Sequence, residues 1–233
     1  MKLKIYLLLS VFSLFACNAL PIETQSGDIT ITVIPGAEWL HRFSFLTKNT
    51  PQFAIWTEDE SGGYIDTLFV TRKTATEGWI FNNGNRRIES LPVWAHQRNV
   101  VEDDGLLLPT KEDPLTDGIT GATPKDRMNL VIRPNDATTP FYVVLEINHS
   151  TDFNDYWTKS AEPGTPEYSG GTYGSGQPSL VYKALIDPTE EGPWELALAG
   201  HGSPDGSSGN ITTDTSSITT ALHIIETILV ERK

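Results

Sequence analysis

Gln52-Phe53-Ala54-Ile55-Trp56-Thr57-Glu58, Asp59-Glu60-Ser61-Gly62-Gly63 and Tyr64-Ile65-Asp66-Thr67-Leu68-Phe69-Val70-Thr71 follow one another without a break. The outer blocks are rich in β-branched and aromatic residues, and the middle block is made of turn formers. The spacing predicts two strands joined as a hairpin. Glu58, Asp59 and Glu60 also offer carboxylates for catalysis or metal binding, but a solvated turn accounts for them more simply.

Working outward, Phe141–Asn148 (FYVVLEIN) gives the strongest strand pattern in the chain. Residues 28–34, 128–133, 180–186, 194–199 and 222–230 read as further strands, and 43–45 as a short one. Residues 86–96 are the best helical stretch, with Ile88, Leu91 and Trp94 on one side and Pro92 interrupting it. Nowhere does helical periodicity last a dozen residues, which argues against a doubly wound α/β fold. The expectation is an all-β fold: an antiparallel β-sandwich of immunoglobulin-like architecture, with long loops and one short helix. A β-barrel is the alternative.

The N-terminus carries Lys2 and Lys4 ahead of a short apolar run over 5–16, the pattern of a secretory signal and too short to span a membrane. Leu14-Phe15-Ala16-Cys17 resembles the bacterial lipoprotein cleavage box. The resemblance implies lipidation at Cys17, with 1–17 as signal peptide, 18–27 as tether and 28–233 as one sandwich domain. Asn18 after the cysteine favours an outer membrane. Ordinary cleavage after Ala19 is the other reading. Cys17 is the only cysteine, so intramolecular disulfides, thiolate zinc sites and iron–sulfur clusters are excluded.

With 17 basic against 30 acidic residues the formal charge is −13, and loss of Lys2 and Lys4 takes it to −15. Such a chain is unsuited to nucleic acid or to anionic lipid headgroups, which leaves the lipid anchor as the sole membrane attachment. No fixed-period repeat is visible.

One stretch carries specific chemistry: Asp117-Gly118-Ile119-Thr120-Gly121-Ala122-Thr123-Pro124-Lys125. Asp-x-x-Thr-Gly-Ala-Thr resembles the motif at which a flavin transferase esterifies FMN to the last Thr in subunits of sodium-pumping NADH:quinone reductase and Rnf-type complexes. The resemblance spans seven residues, so it implies a chemistry and not a fold, and those subunits have a mixed α/β domain. It assigns covalent FMN to Thr123. Asp117 and Thr120 would complete the recognition motif, Gly121 and Ala122 would give access, and Lys125 would neighbour the phosphate. A flavin transferase and membrane redox proteins are the implied partners. Pro124 biases Thr123 toward extended backbone, and the motif falls in a long connection between core elements. The competing reading is a plain capped turn with nothing attached.

A second resemblance rests on the blocks 53–59, 67–71, 91–94, 120–124 and 177–182. Together they are similar to a bacterial family of predicted periplasmic proteins of unknown function, covering 28–230. It implies an envelope location and a β-sandwich, and brings no activity.

Other chemistry finds little support. His41, His96, His149, His201 and His223 are scattered, without the paired spacing of a zinc hydrolase. Asp152-x-Asn154-Asp155 and Asp205-x-Ser207 do not complete a calcium loop, and no Gly-x-Ser-x-Gly elbow is present. Residues 202–209 lack the ending of a phosphate loop. Residues 150–177 read as a long surface loop bearing aromatics. Trp157 and Tyr173, with His201 in the glycine-rich excursion at 200–210, form the alternative site: a non-enzymatic glycan-, ligand- or protein-binding module without a cofactor. On both readings the protein is a carrier or a binder rather than an enzyme.

Overall fold

A computed structural model describes residues 26, 28–42, 48–79, 86–115, 119–134, 136 and 138–233. In chain order the elements are β1 (Ile29–Pro35), β2 (His41–Arg42), β3 (Lys48–Asn49), β4 (Gln52–Glu58), β5 (Tyr64–Thr71), α1 (Arg72–Ala75) and α2 (Pro92–Arg98). They continue with β6 (Ile119–Gly121), β7 (Met128–Ile132), β8 (Phe141–Asn148), β9 (Leu180–Ile186), β10 (Trp194–Glu195), β11 (Ala197–His201) and β12 (Ile225–Arg232). Four strands form one sheet in the order β10-β12-β1-β7, and six form a second in the order β11-β9-β8-β4-β5-β6. A small ribbon pairs β2 with β3. The fold is all-β and sandwich-like, as the strand pattern predicts.

Period-2 alternation builds the core between the sheets. Ile29, Ile31 and Val33 of β1 and Ile228 and Val230 of β12 meet Phe53 and Ile55 of β4 and Val143, Leu145 and Ile147 of β8. In β1 the register sets Ile31 opposite Val230 on one side and Leu130 on the other. A slip of one residue would turn this apolar set outward.

The six-stranded sheet is apolar on both faces. Ala54, Trp56, Val70, Val144 and Val181 point away from the first core and are covered by Leu91, Val93, Trp94 and Ala95 at α2, with Leu108. All seven residues of β4 are therefore buried, which explains its run of four consecutive apolar side chains. Between the two layers lies Glu146, completely buried on β8. Its carboxylate accepts the backbone N–H of Val93 (3.1 Å) and Trp94 (2.7 Å) and the Ser179 hydroxyl (2.6 Å). The first N–H groups of α2 lack intrahelical partners, and this strand carboxylate supplies them.

Several boundaries depart from expectation. Pro92 opens α2 instead of interrupting a helix from 86, since a first-turn position needs no N–H. Among the described residues two short helices occur where one was expected, α1 following β5 directly. The sheet is not wholly antiparallel: β6 runs parallel to β5. The strand expected over 194–199 divides at Leu196 into β10 and β11, one in each sheet. The closing strand begins three residues late, after a 3-10 turn at Thr220–His223. The signal, the tether apart from Ser26, and the strand expected at 43–45 lie outside the described residues. Among the described residues no helix is long and apolar enough to cross a membrane.

Candidate functional site

The Thr123 region is assembled from three distant parts of the chain. At the end of β5 the backbone turns straight into α1, which presents Arg72 and Lys73. Leu115 donates its N–H to Ala75 O (3.0 Å), which leads the incoming chain alongside. β6 then pairs Phe69 with Ile119, Val70 with Thr120 and Thr71 with Gly121. Gly121 packs closely here, since a Cβ would sit 3.2 Å from the Phe69 ring and push on it. The motif is thus part edge strand, where a loop was expected. Thr120 and Ala122 are exposed, and Gly121 and Thr123 are half-buried. Asp117 and Gly118 lie outside the described residues.

Thr123 Oγ1 donates to Pro51 O (2.8 Å), and Pro124 O accepts the Trp39 indole N–H (2.9 Å). The same Pro51 carbonyl accepts Gln52 Nε2 (3.1 Å), which leaves Gln52 Oε1 buried and without a partner. Beside these groups opens a cleft of about 390 Å³, lined among others by Gln52, Arg72, Lys73, Thr123 and Lys125. Among the described residues no ion pair engages Arg72, Lys73 or Lys125. Lys73 is half-buried, and the loss of solvent, with the nearby Arg87 charge, lowers its pKa. An anion in the cleft would favour the charged ammonium and so offset both. Sequence reasoning named Thr123 and Lys125 and missed Arg72, Lys73 and Gln52. Their available signal was the adjacent Arg72-Lys73 pair at a strand end in an acidic chain.

The aromatic alternative comes apart. Trp157 is 3 % exposed and belongs to the core between the sheets. It meets Tyr156 edge-on at 4.9 Å and His201 at 6.3 Å. His201 is buried, with Nδ1 2.8 Å from Gly202 O. Only Tyr173 of the three is exposed, so they do not form a shared platform. Nor is 150–177 a loose surface loop. Ser175 bonds Asn148, and Gln177 Oε1 accepts the Thr219 N–H and hydroxyl. These polar side chains satisfy one another inside.

Elsewhere, His41 and His149 stack loosely at 5.3 Å beside Asp152. Among the described residues no group of three His, Cys, Asp or Glu side chains is placed to hold a metal ion. The two acidic stretches bond largely within the chain, although Asp152 Oδ2 is buried with no partner among the described residues. Asp152 accepts Thr220 (2.6 Å), and Asp205 accepts Ser203 and Ser207. At the hairpin, Asp59 folds over its own turn to accept the N–H groups of Ser61 and Gly63.

Comparison with family models, with curated proteins and with solved structures finds no match to this chain.

Proposed function

We propose that this protein is an envelope electron carrier that holds FMN through a phosphoester on Thr123. The observation that carries the reading is the cleft beside that hydroxyl, lined by three cations that form no ion pair among the described residues. In a chain of net charge −13, leaving Arg72, Lys73 and Lys125 unpaired around one opening makes sense if a dianion sits there. The volume falls within the range of sites that take cofactor-sized ligands. The orphaned Gln52 Oε1 is an acceptor awaiting an N–H donor, and a flavin ring carries such a donor.

In the attachment step Thr123 Oγ1 attacks the flavin-side phosphorus of a flavin dinucleotide donor. The Thr–O–P bond forms and the pyrophosphate bond breaks. AMP leaves with the electron pair, and the hydroxyl proton passes to a base of the transferase. The bond to Pro51 O is surrendered, a loss of about 1 kcal/mol. Lys73 and Lys125, which line the same cleft, would hold the phosphate, and the exposed Ala122 would keep the approach open. Bound FMN would supply one- and two-electron transfer, with the protein setting position and charge.

The Cys17 lipid anchor, export and outer-membrane placement belong to the same proposal, resting on the N-terminal pattern and the resemblance to predicted periplasmic proteins. A transferase and membrane redox proteins are its partners.

Coexpression with a flavin transferase, followed by a denaturing gel viewed for flavin fluorescence, tests it. Wild type should fluoresce and Thr123→Ala should be dark. A dark wild-type band overturns the reading.

A further inference from the structure

At the opposite end of the sandwich lies a second cleft, distinct from the one at Thr123. The register of β1 fixes the separation: Val33 pairs with Met128 near the Thr123 end, and Ile29 pairs with Ile132 at the other. Here the start of β5, the end of β7, Pro134, Asp136, Thr139, Pro140 and Phe141 border about 300 Å³. The walls are apolar, including Ile65, Leu68, Ile132 and Pro140. Leu68 and Ile132 also pack against the core between the sheets, so the floor of the cleft is continuous with the protein interior. Ile65 is 54 % exposed, unusual for an isoleucine next to a cavity.

Acidic groups outnumber the single cation in the lining. Asp59, Asp66 and Asp136 stand around the apolar walls. Arg133 is the single cation among the lining residues, and it is held by Asp28 through Nε–Oδ1 (2.9 Å) and Nη2–Oδ2 (3.4 Å). Its charge is therefore compensated outside the cleft. Asp136 accepts the Thr138 and Thr139 hydroxyls and the Thr138 N–H, which hold its pKa down to about 2. The Ser61 and Gly63 donors lower that of Asp59 in the same way. Among the described residues the hydrogen bonds to the Asp59 side chain all use Oδ1. Carboxylates fixed in the ionised state beside an apolar cavity attract a cation that also carries apolar surface, and they repel an anion.

We propose that this cleft binds a small organic ammonium ligand, its aliphatic or aromatic body against Ile65, Leu68 and Ile132 and its cationic amine toward Asp59 and Asp136. The site is independent of the flavin reading.

Hexylammonium, hexanol and hexanoate, matched in apolar length, discriminate. Each is titrated into the isotope-labelled protein, with amide and methyl shifts followed by NMR. Hexylammonium should shift Ile65, Leu68 and Ile132 saturably, and bind at least tenfold tighter than hexanoate. Raising the salt should narrow that gap. Asp59→Asn with Asp136→Asn should weaken hexylammonium about tenfold and leave hexanol unchanged. Leu68→Trp should abolish binding of all three, with an unfolding midpoint showing that the variant is folded. Equal affinity for the three probes overturns the proposal. So does the absence of shifts at the cleft, or a concentration-dependent dimer that protects these residues without ligand.

Discussion

The carboxylate of Glu146 accepts the N–H of Trp94 at 2.7 Å, so a β8 side chain completes the start of the helix covering that sheet. Burial pushes the Glu146 pKa up to about 7 against three hydrogen bonds that favour the charged form. Its folded value is therefore above its unfolded one. The associated stability is fully present below about pH 4.5 and is lost as pH rises through 7. Glu146→Gln removes this titration. The difference in unfolding free energy between wild type and E146Q should shift by about 3 kcal/mol between pH 4 and 8, with wild type the weaker at the alkaline end. Urea unfolding at several pH values measures it. Glu146→Leu should be worse at every pH, since it strands the N–H groups of Val93 and Trp94 in the interior.

The second apolar layer predicts a large packing effect. Trp56 and Trp94 are both fully buried on the outer side of the six-stranded sheet. Each also donates its indole N–H, to Glu58 (2.9 Å) and Thr67 (2.9 Å) respectively. Trp94→Ala should lower stability by about 4 kcal/mol, compared with under about 0.5 kcal/mol for a surface change such as Tyr173→Ala. Chemical denaturation of both variants decides whether this layer is a true core.

How far the sequence reveals these features depends on the length of each signal. β4, β5, β8 and β9 announce themselves because seven or eight residues of strand period outweigh local noise. β6 has three residues and ends in Gly121, which weakens any strand pattern, so only its partner β5 makes it a strand. α2 is one helical turn too short for periodicity, and its Pro92 reads as a breaker until the helix start is seen to fall there. Trp157 sits among polar neighbours and looks like a surface aromatic. Its backbone N–H is held by Asn154 Oδ1, and Asn154 in turn reaches Ser217 O, 63 residues along the chain, a tie with no local trace. At the Thr123 cleft the motif was legible. The cations of α1 were not tied to it, because a parallel pairing across some fifty residues has no local trace.

His149 should make the fold acid-sensitive. The residue is 2 % exposed and Nε2 lies 2.9 Å from Glu38 O, so Nε2 carries the proton and donates. Nδ1 has no partner. Burial above all, opposed by the Glu38 carbonyl and aided by the His41 ring nearby, lowers the His149 pKa to about 3. Because the unfolded chain takes up this proton first, stability is whole above about pH 6.5 and falls toward pH 3. The slope approaches about 1.4 kcal/mol per pH unit. Asp152, raised by burial, and Glu38 face the same pair, so the comparison is with His149→Gln, whose profile should be flatter between pH 4 and 6. Equal slopes would show that His149 is protonated without penalty. Between pH 4.5 and 6.5 this effect opposes that of Glu146, and the two variants separate them.

Glu58 and Lys183 test whether a charge pair at the edge of the second layer matters. Glu58 is 3 % exposed and accepts Trp56 Nε1 through Oε1, while Oε2 meets Lys183 Nζ. The same ammonium lies 3.9 Å from the centre of the Tyr142 ring. Lys183→Met keeps the aliphatic stem and removes the charge, leaving a buried carboxylate with one donor. That should cost about 2 kcal/mol. Glu58→Gln in the Lys183→Met background should recover much of the loss, because the remaining amide carries no charge to desolvate. A double-mutant cycle in urea should give a coupling of about 1 kcal/mol or more. Additive losses would instead mean that the Tyr142 contact and the aliphatic stem, not the ion pair, hold Lys183 in place.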